Sequence, residues 1–288
     1  MKTACIGIGA VGSIIARELK QLDIDVTLFS REEQDGFTIL EDGEYITYPW
    51  HIHPLDSHKN ETYDLIFIAV KATAMKSVST VVKNMSHDTT EIILCANGMG
   101  YDGLFQNPVP SVVYISGQKH QNYIEHFRDS RLIIDNTPLP FTDQLIKNIE
   151  QHAETELVIE KSSEFKRLRY EKLLINLGVN SMTALTQNTA QIFSDEDILH
   201  LTRLLLEEGK NIINQDEQMI DDDFVETSIA LYQSYPDHMG TSMYYDVSNK
   251  VKTEFEYIQK YFYQHKNDLH TPVLDVVYTL LKGYQIKR

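Results

Sequence analysis

The six residues GIGAVG, Gly7 to Gly12, limit what this chain can fold into more than any other stretch. They follow the short apolar run TACIGI (3–8) and open AVGSIIARELKQL (10–22), whose apolar residues recur at helical spacing. A glycine turn that leaves a buried strand and enters a helix this early in the chain fits the dinucleotide fingerprint G-x-G-x-x-G. Gly7 permits the tight turn, Gly9 lets the backbone approach a pyrophosphate, and Gly12 allows close packing of helix on strand. Ala10 and Val11 complete the loop, so Gly7, Gly9, Ala10, Val11 and Gly12 are the candidate cofactor-binding residues. The competing reading is a glycine-rich turn that binds nothing.

The alternation continues beyond the loop. DVTLFS (25–30), DLIFIAV (64–70) and EIILCAN (91–97) read as strands, and ATAMKSVSTVVKNM (72–85) reads as a helix. Residues 36–53 carry the turn signals DGF and EDGE and read as a hairpin or irregular strands. SVVYISG (111–117), RLIID (131–135) and ELVIE (156–160) read as later strands. Apolar strands alternating with helices predict a parallel sheet covered on both faces. After about residue 161 the strand signals stop. Ser194 with Asp197, and Thr253 with Glu256, read as capping pairs before helices, and Pro272 stands near the start of a last one. The predicted fold class is α/β. An N-terminal Rossmann-type, doubly wound, mostly parallel sheet takes residues 1–161, and a C-terminal all-α domain takes 162–288.

Charge narrows the partners. A net charge of -16 on 288 residues argues against nucleic acid or an anionic membrane, both of which call for basic patches. A small anionic substrate stays open, since a few local cations can hold it. Cys5 and Cys95 both lie in strand-like runs with no metal-ligand spacing, which predicts reduced thiols in a cytoplasmic protein and no metal site. The N-terminal apolar run is broken by three glycines, as a strand and turn require and a signal peptide does not. No apolar run approaches the roughly 20 residues of a membrane span.

Several polar residues stand where ligands bind. The second strand ends LFSRE, so Ser30 and Arg31 occupy the place where an NAD enzyme carries an acid. A hydroxyl and a guanidinium suit a 2′-phosphate and favour NADPH; the alternative is that Glu32 or Glu33 reaches the ribose and Arg31 is a surface cation. Lys71 and Asn97 end strands, and open parallel sheets bind ligands beyond their carboxyl ends. Taken singly, Lys71 reads equally as a surface lysine and Asn97 as a cap. His51 and His53, in WHIHP, read as a surface hairpin before they read as metal ligands.

The run RYEKLLINLGVNSMTAL, Arg169 to Leu185, predicts a helix made mostly of core residues that nevertheless carries Lys172, Asn176 and Asn180. At i, i+4 and i+8 these drift by only about 40° per step, so they share one face. The stripe is either the solvent face or the lining of a polar cleft, because buried Lys and Asn need partners. Ser242 and Glu254, in GTSMYYDV and TEFEYI, read by themselves as a helix cap and a first-turn acid.

Together these pieces resemble the ketopantoate reductase (2-dehydropantoate 2-reductase) family over nearly the whole chain. The resemblance rests on GIGAVG, on AVKA around Lys71, on CANGMG around Asn97, on YEKLLINLGVNSMTAL, and on GTSMYYDV followed by TEFEYI. It implies NADPH-dependent reduction of ketopantoate to pantoate, on the way to pantothenate and coenzyme A. It implies that the stripe lines a cleft between domains, with Lys172 the general acid and Glu254 orienting it or the substrate hydroxyl. Asn97, Asn176, Asn180 and Ser242 would hold the substrate, and Asn97 and Lys71 would also lie by the cofactor. The chemistry is coherent by itself: reducing a 2-oxo acid needs a hydride donor, a proton donor for the developing alkoxide, and groups that hold the carboxylate.

The sequence departs from the family in two places. A further substrate-binding Asn falls near Ala190, with Asn188 out of register, and Gln259 and Lys260 stand where a glycine usually follows TEFEYI. Both departures bear on the substrate side and leave room for another 2-oxo acid. Two rivals follow: a different NAD(P)-dependent dehydrogenase with a helical partner domain, and a regulator that binds NADPH without catalysis. The first would not be expected to carry the TSM and TE pair, and the second has little use for a proton donor. A Tyr-rich helical domain is compatible with a homodimer, although aromatics are equally core material.

Overall fold

The computed structural model describes residues 1–57, 61–152 and 154–286. The chain divides into two compact units: Met1–Ala96 with Tyr101–Phe165, and Asn97–Gly100 with the chain from Lys166 onward.

The first unit is an α/β sheet. Its strands are β1 (Thr3–Ile6), β2 (Val26–Ser30), β3 (Phe37–Glu41), β4 (Glu44–Tyr48), β5 (Ile52–Pro54), β6 (Tyr63–Ile68), β7 (Ser86–Leu94), β8 (Pro108–Lys119), β9 (Ile124–Asp135) and β10 (Val158–Ser162). Its α-helices are α1 (Ala10–Gln21), α2 (Met75–Val82) and α3 (Pro140–Gln151). The strand order is β4-β3-β9-β8-β7-β6-β1-β2-β5, with β10 also on β9. From β8 to β5 every pairing is parallel, while β8–β9 and β3–β4 are antiparallel. β1 lies between β6 and β2 with all four residues buried, which is why TACI is wholly apolar or small. Cys5 and Cys95 are both free and buried. Burial pushes both thiols up, Cys95 to about 12, so neither is a ready nucleophile.

The expected elements are present, with shifted ends. EDGE makes the turn of the β3–β4 hairpin, with Asp42 at φ 48° and Gly43 at φ 82°. His51 and His53, expected on a hairpin, flank and occupy β5 instead, an edge strand parallel to β2; His51 lies 3.2 Å from Glu33. The strand expected at 91–97 ends at Leu94, and those expected at 111–117 and 131–135 extend to 12 residues each as a long antiparallel pair.

Helix α3 is absent from the sequence expectations although Phe141, Leu145, Ile146 and Ile149 fall at helical spacing, and a buried carboxylate fixes its start. Glu91 on β7 accepts from the backbone N–H groups of Phe141 (3.0 Å) and Thr142 (2.7 Å) and from the Thr142 hydroxyl (2.6 Å). An acid at a helix N-terminus satisfies orphan donors and meets the positive end of the dipole. Glu91→Ala is expected to destabilise the protein by about 2–4 kcal/mol, because three buried donors lose a charged acceptor. Urea unfolding of wild type and variant, compared at equal slope, checks this.

A second buried cluster surrounds Arg17 of α1, 3 % exposed, which pairs with Glu18, Glu41 and Glu156 at 2.5, 2.5 and 3.3 Å. His126 Nδ1 lies 2.5 Å from Glu41. Burial opposes ionisation of Glu41, but bonds from Arg17 and His126 outweigh it and hold the carboxyl below its usual range. Glu41, His126 and Glu156 are close enough to be a metal-ligand set, yet both acids already neutralise the guanidinium.

The second unit is helical: α4 (Phe165–Thr186), α5 (Glu196–Ile213), α6 (Phe224–Gln233), α7 (Ser242–Ser248), α8 (Gln259–His265) and α9 (Pro272–Ile286). Its core gathers Leu174, Leu177, Leu205, Leu206, Tyr232, Phe262 and Leu274, among others. The caps differ from expectation by a residue or more. Asp195, not Ser194, caps α5 by accepting from Asp197 and Ile198 N–H, both at 3.0 Å. The helix expected around Thr253 and Glu256 resolves into a 3-10 turn at Phe255–Tyr257 followed by α8. No helix among the described residues is long and apolar enough to cross a membrane.

Candidate active site

The glycine loop has the geometry its spacing implies. Gly7 has φ 98°, and a side chain there would meet Val70 Cγ1 at 2.6 Å and the Ala69 carbonyl oxygen at 2.8 Å. A Cβ on Gly12 would lie 1.9 Å from the Gly7 carbonyl oxygen and 3.0 Å from Ala69 Cβ, so α1 sits on the loop as only glycine allows. Gly9 is different. Its φ of -103° suits any residue, and nothing lies within 4 Å of an added Cβ. The protein's own packing gives no reason for glycine there, and the space beside it is open. Gly9 also holds the N-cap position of α1 without a side-chain cap, so the first N–H groups of the helix, from Ala10, Val11 and Gly12, are available to an anion.

Arg31 is exposed just past β2. Ser30 Oγ turns the chain locally, accepting from Gln34 Nε2 at 3.0 Å and bonding with the backbone of Glu32. Glu33 faces His51. Lys71 is exposed at the N-cap position of the 3-10 turn Ala72–Ala74. Sequence reasoning missed Lys119: its Nζ lies 3.4 Å from the Ile8 carbonyl oxygen, a cation against the glycine loop. It comes from the far end of β8, 111 residues away, so no local motif could reveal it.

All six expected substrate-side residues fall in the helical unit: Asn97, Lys172, Asn176, Asn180, Ser242 and Glu254. Lys172, Asn176 and Asn180 lie along α4 at four-residue intervals. The stripe is not a solvent face, for Asn176 is 9 % exposed and Asn180 4 %, while Lys172 is half-buried. Asn176 Nδ2 is buried and has no hydrogen-bond partner among the described residues. A buried amide left unsatisfied is costly and points to a group that is not part of the protein.

Ser242, exposed, is the first residue of α7, but the cap is Thr241, whose Oγ1 accepts from Tyr244 N–H at 3.1 Å. The Ser242 hydroxyl is therefore not committed to capping. Glu254 is 7 % exposed and begins the turn at Phe255–Tyr257. Asn97 follows β7 in the chain yet groups with the helices, because Met99 N–H donates to the Tyr257 carbonyl at 2.9 Å.

The two departures have structural explanations. Ala190 is 4 % exposed, and its N–H donates to the Met239 carbonyl at 2.9 Å. The Asn188 side chain accepts from Thr189 N–H and Gln191 Nε2, which commits it to the turn that follows. Gln259 is fully buried, and Lys260 lies 4.0 Å from Glu256.

Comparison with known proteins identifies the family. Residues 3–136 match the family model Ketopantoate reductase PanE/ApbA, and residues 164–285 match Ketopantoate reductase PanE/ApbA C terminal. The 2-dehydropantoate 2-reductase of Mycobacterium tuberculosis (strain ATCC 25618 / H37Rv) is 23 % identical over 288 residues, covering 96 % of each chain. The solved structure of a dimeric ketopantoate reductase from Staphylococcus aureus is 34 % identical at a TM-score of 0.91, covering 100 % of this chain and 99 % of that one. A D-mandelate dehydrogenase solved with NADH and anilino(oxo)acetate shares the fold at 19 % identity and a TM-score of 0.86, covering 100 % and 99 %. With both family models matched in order along the sheet unit and the helical unit, this chain belongs to the ketopantoate reductase family of oxidoreductases.

Proposed function

We propose that this protein reduces 2-dehydropantoate (ketopantoate) to pantoate with NADPH, in pantothenate and coenzyme A biosynthesis. The observation that carries the reading is the unpartnered Asn176 amide, buried on the same helix face as Lys172 and Asn180. NADPH supplies the hydride that adds to the ketone carbon. Gly7, Gly9, Ala10, Val11 and Gly12 would take its pyrophosphate, Arg31 its 2′-phosphate, and Lys71 and Asn97 would stand by the cofactor.

The chain's own work is to hold the keto acid and to deliver one proton. Lys172 Nζ gives that proton to the ketone oxygen as the C=O becomes CH–OH, and its charge offsets the developing alkoxide until the transfer is complete. Asn176 and Asn180 donate to the substrate without competing for the proton. Ser242 hydrogen-bonds the carboxylate, and Glu254 orients Lys172 or the substrate hydroxyl. The Staphylococcus aureus protein is described as dimeric, and a homodimer is the assembly we propose for this chain.

A second reading, reduction of a different 2-oxo acid, is favoured by one observation. Ala190 is buried and the Asn188 side chain is spent on a turn, so neither supplies a further amide to substrate. The test is oxidation of NADPH, followed at the nicotinamide absorbance, with ketopantoate beside pyruvate, 2-oxoisovalerate and phenylglyoxylate, and with NADH in parallel. Preference for ketopantoate by kcat/KM supports the first reading, and preference for another acid moves the assignment to the second.

Arg31 provides a separate check on the cofactor. Arg31→Ala is expected to raise KM for NADPH by about 10-fold or more, the worth of a charge-assisted contact to phosphate, and to leave KM for NADH within about twofold. Equal effects on both nucleotides would contradict recognition of the 2′-phosphate.

A further inference from the structure

The residues assigned to substrate sit on four separate pieces of the helical unit: the Asn97 turn, α4, the start of α7, and the segment at Glu254. One short stretch, Glu254 to Gln259, ties them together. Tyr257 N–H donates to the Glu254 carbonyl at 2.9 Å, and the Tyr257 carbonyl accepts from Met99 N–H at 2.9 Å. The contact is close enough that a Cβ on Gly98 would lie 2.7 Å from both Tyr257 Cβ and its carbonyl oxygen, and Gly98 has φ 88°. Asn97 is thereby set by the same turn that carries Glu254.

Gln259 ties the other two pieces. Fully buried, it places Nε2 3.0 Å from Ser181 Oγ and 3.7 Å from Met243 Sδ. Ser181 follows Asn180 on α4, and Met243 follows Ser242 on α7. On the other side of Ser242, Thr241 Oγ1 bonds Thr183 Oγ1 of α4 at 2.7 Å. The backbone around Ser242 is thus held to α4 at two points, one residue to either side. The Gln259 amide is only half satisfied: Nε2 is engaged by Ser181 and Met243, while Oε1 is buried without a partner among the described residues. An unmet buried carbonyl is costly, and what the side chain offers against that cost is the link its Nε2 makes from α8 to α4 and α7.

We infer that Gln259 is a positioning residue for the keto acid, one that fixes Asn180 and Ser242 relative to each other through Ser181 and Met243. This rests on the function proposed above and deepens it. Gln259 touches neither substrate nor cofactor; it sets the spacing of the groups that do. The departure that the sequence places at this position is therefore internal, and it governs substrate fit from behind the site.

The test replaces the amide with apolar groups of similar length, Gln259→Leu and Gln259→Met, and measures KM and kcat for ketopantoate, Kd for NADPH by fluorescence, and Tm by calorimetry. The expected result is a KM for ketopantoate higher by about 10-fold or more, since small misplacements of binding groups are expensive. Kd for NADPH should stay within about twofold, and melting should stay cooperative with little change in Tm, since losing the bond to Ser181 and removing the unpaired carbonyl act in opposite directions. Wild-type turnover with unchanged KM in both variants overturns this inference alone. Loss of cooperative melting in both variants also overturns it, by making Gln259 a residue of the core. A wild-type protein inactive on ketopantoate overturns the proposed function, and the inference with it.

Discussion

Lys172→Ala is expected to lower turnover of ketopantoate by at least about 100-fold, while Kd for NADPH stays within about twofold of wild type. The reasoning is chemical. Hydride addition turns the ketone oxygen into an alkoxide, and without a positioned proton donor that charge develops unstabilised until a solvent proton reaches it. Lys172 is half-buried, one helical turn from the orphaned Asn176 amide nitrogen, on a helix whose Leu173, Leu174 and Leu177 lie in the apolar core. Lys172→Arg should recover little, because a guanidinium keeps the positive charge but does not release a proton at any working pH. Steady-state rates at saturating NADPH, with nucleotide affinity measured separately, distinguish a lost acid from a lost cofactor site. Near-normal turnover by the alanine variant would remove Lys172 from the mechanism.

The largest effect on the nucleotide side belongs to the glycine loop, and two of its glycines separate two causes. Gly12→Ala places a methyl group 1.9 Å from the Gly7 carbonyl oxygen, so α1 must lift off the loop. Both properties should fail together: stability by about 1–3 kcal/mol or more, as in overpacked cores, and NADPH affinity by at least about 100-fold. Gly9→Ala meets nothing within 4 Å and needs no unusual backbone angle. Its melting should be within about 0.5 kcal/mol of wild type, as for an unobstructed substitution. The added methyl stands where a pyrophosphate would approach the helix N-terminus, so NADPH binding should still weaken by about 10-fold or more. Calorimetric melting beside nucleotide titration reads both quantities on the same samples. Unchanged binding in Gly9→Ala would show that the loop is a turn and not a phosphate site.

The local code was legible wherever a residue's reason lies within a few positions of it. GIGAVG specified a strand, a turn and a helix because Gly7 and Gly12 answer to backbone within the motif or to Ala69 and Val70 beside it. The polar stripe on α4 was legible because helical geometry alone aligns residues four apart. Ser242 and Glu254 were ambiguous, since a serine and an acid near helix starts are usually caps; the structure gives capping of α7 to Thr241. Helix ends slipped for the same reason, as at Asp195, where several polar residues in a row can each serve as the cap.

What lay beyond the sequence depends on groups far apart in the chain. Glu91 anchors a helix 50 residues on, Lys119 reaches a loop 111 residues back, and Gln259 braces residues 78 and 16 positions away. No periodicity or motif records such pairs, because their partners are chosen by packing. The sequence by itself determined the α/β class, the glycine loop and the polar stripe, which follow from short-range geometry and residue chemistry, and its motifs carried the resemblance to the family. Only the tertiary structure decided that Asn176 and Asn180 of the stripe are buried, that Asn97 belongs with the helices, and that one segment, Glu254–Gln259, bonds to the Asn97 turn, to α4 and to the start of α7. Burial and long-range hydrogen bonding are properties of what surrounds a residue, and the surroundings exist only once the chain has folded.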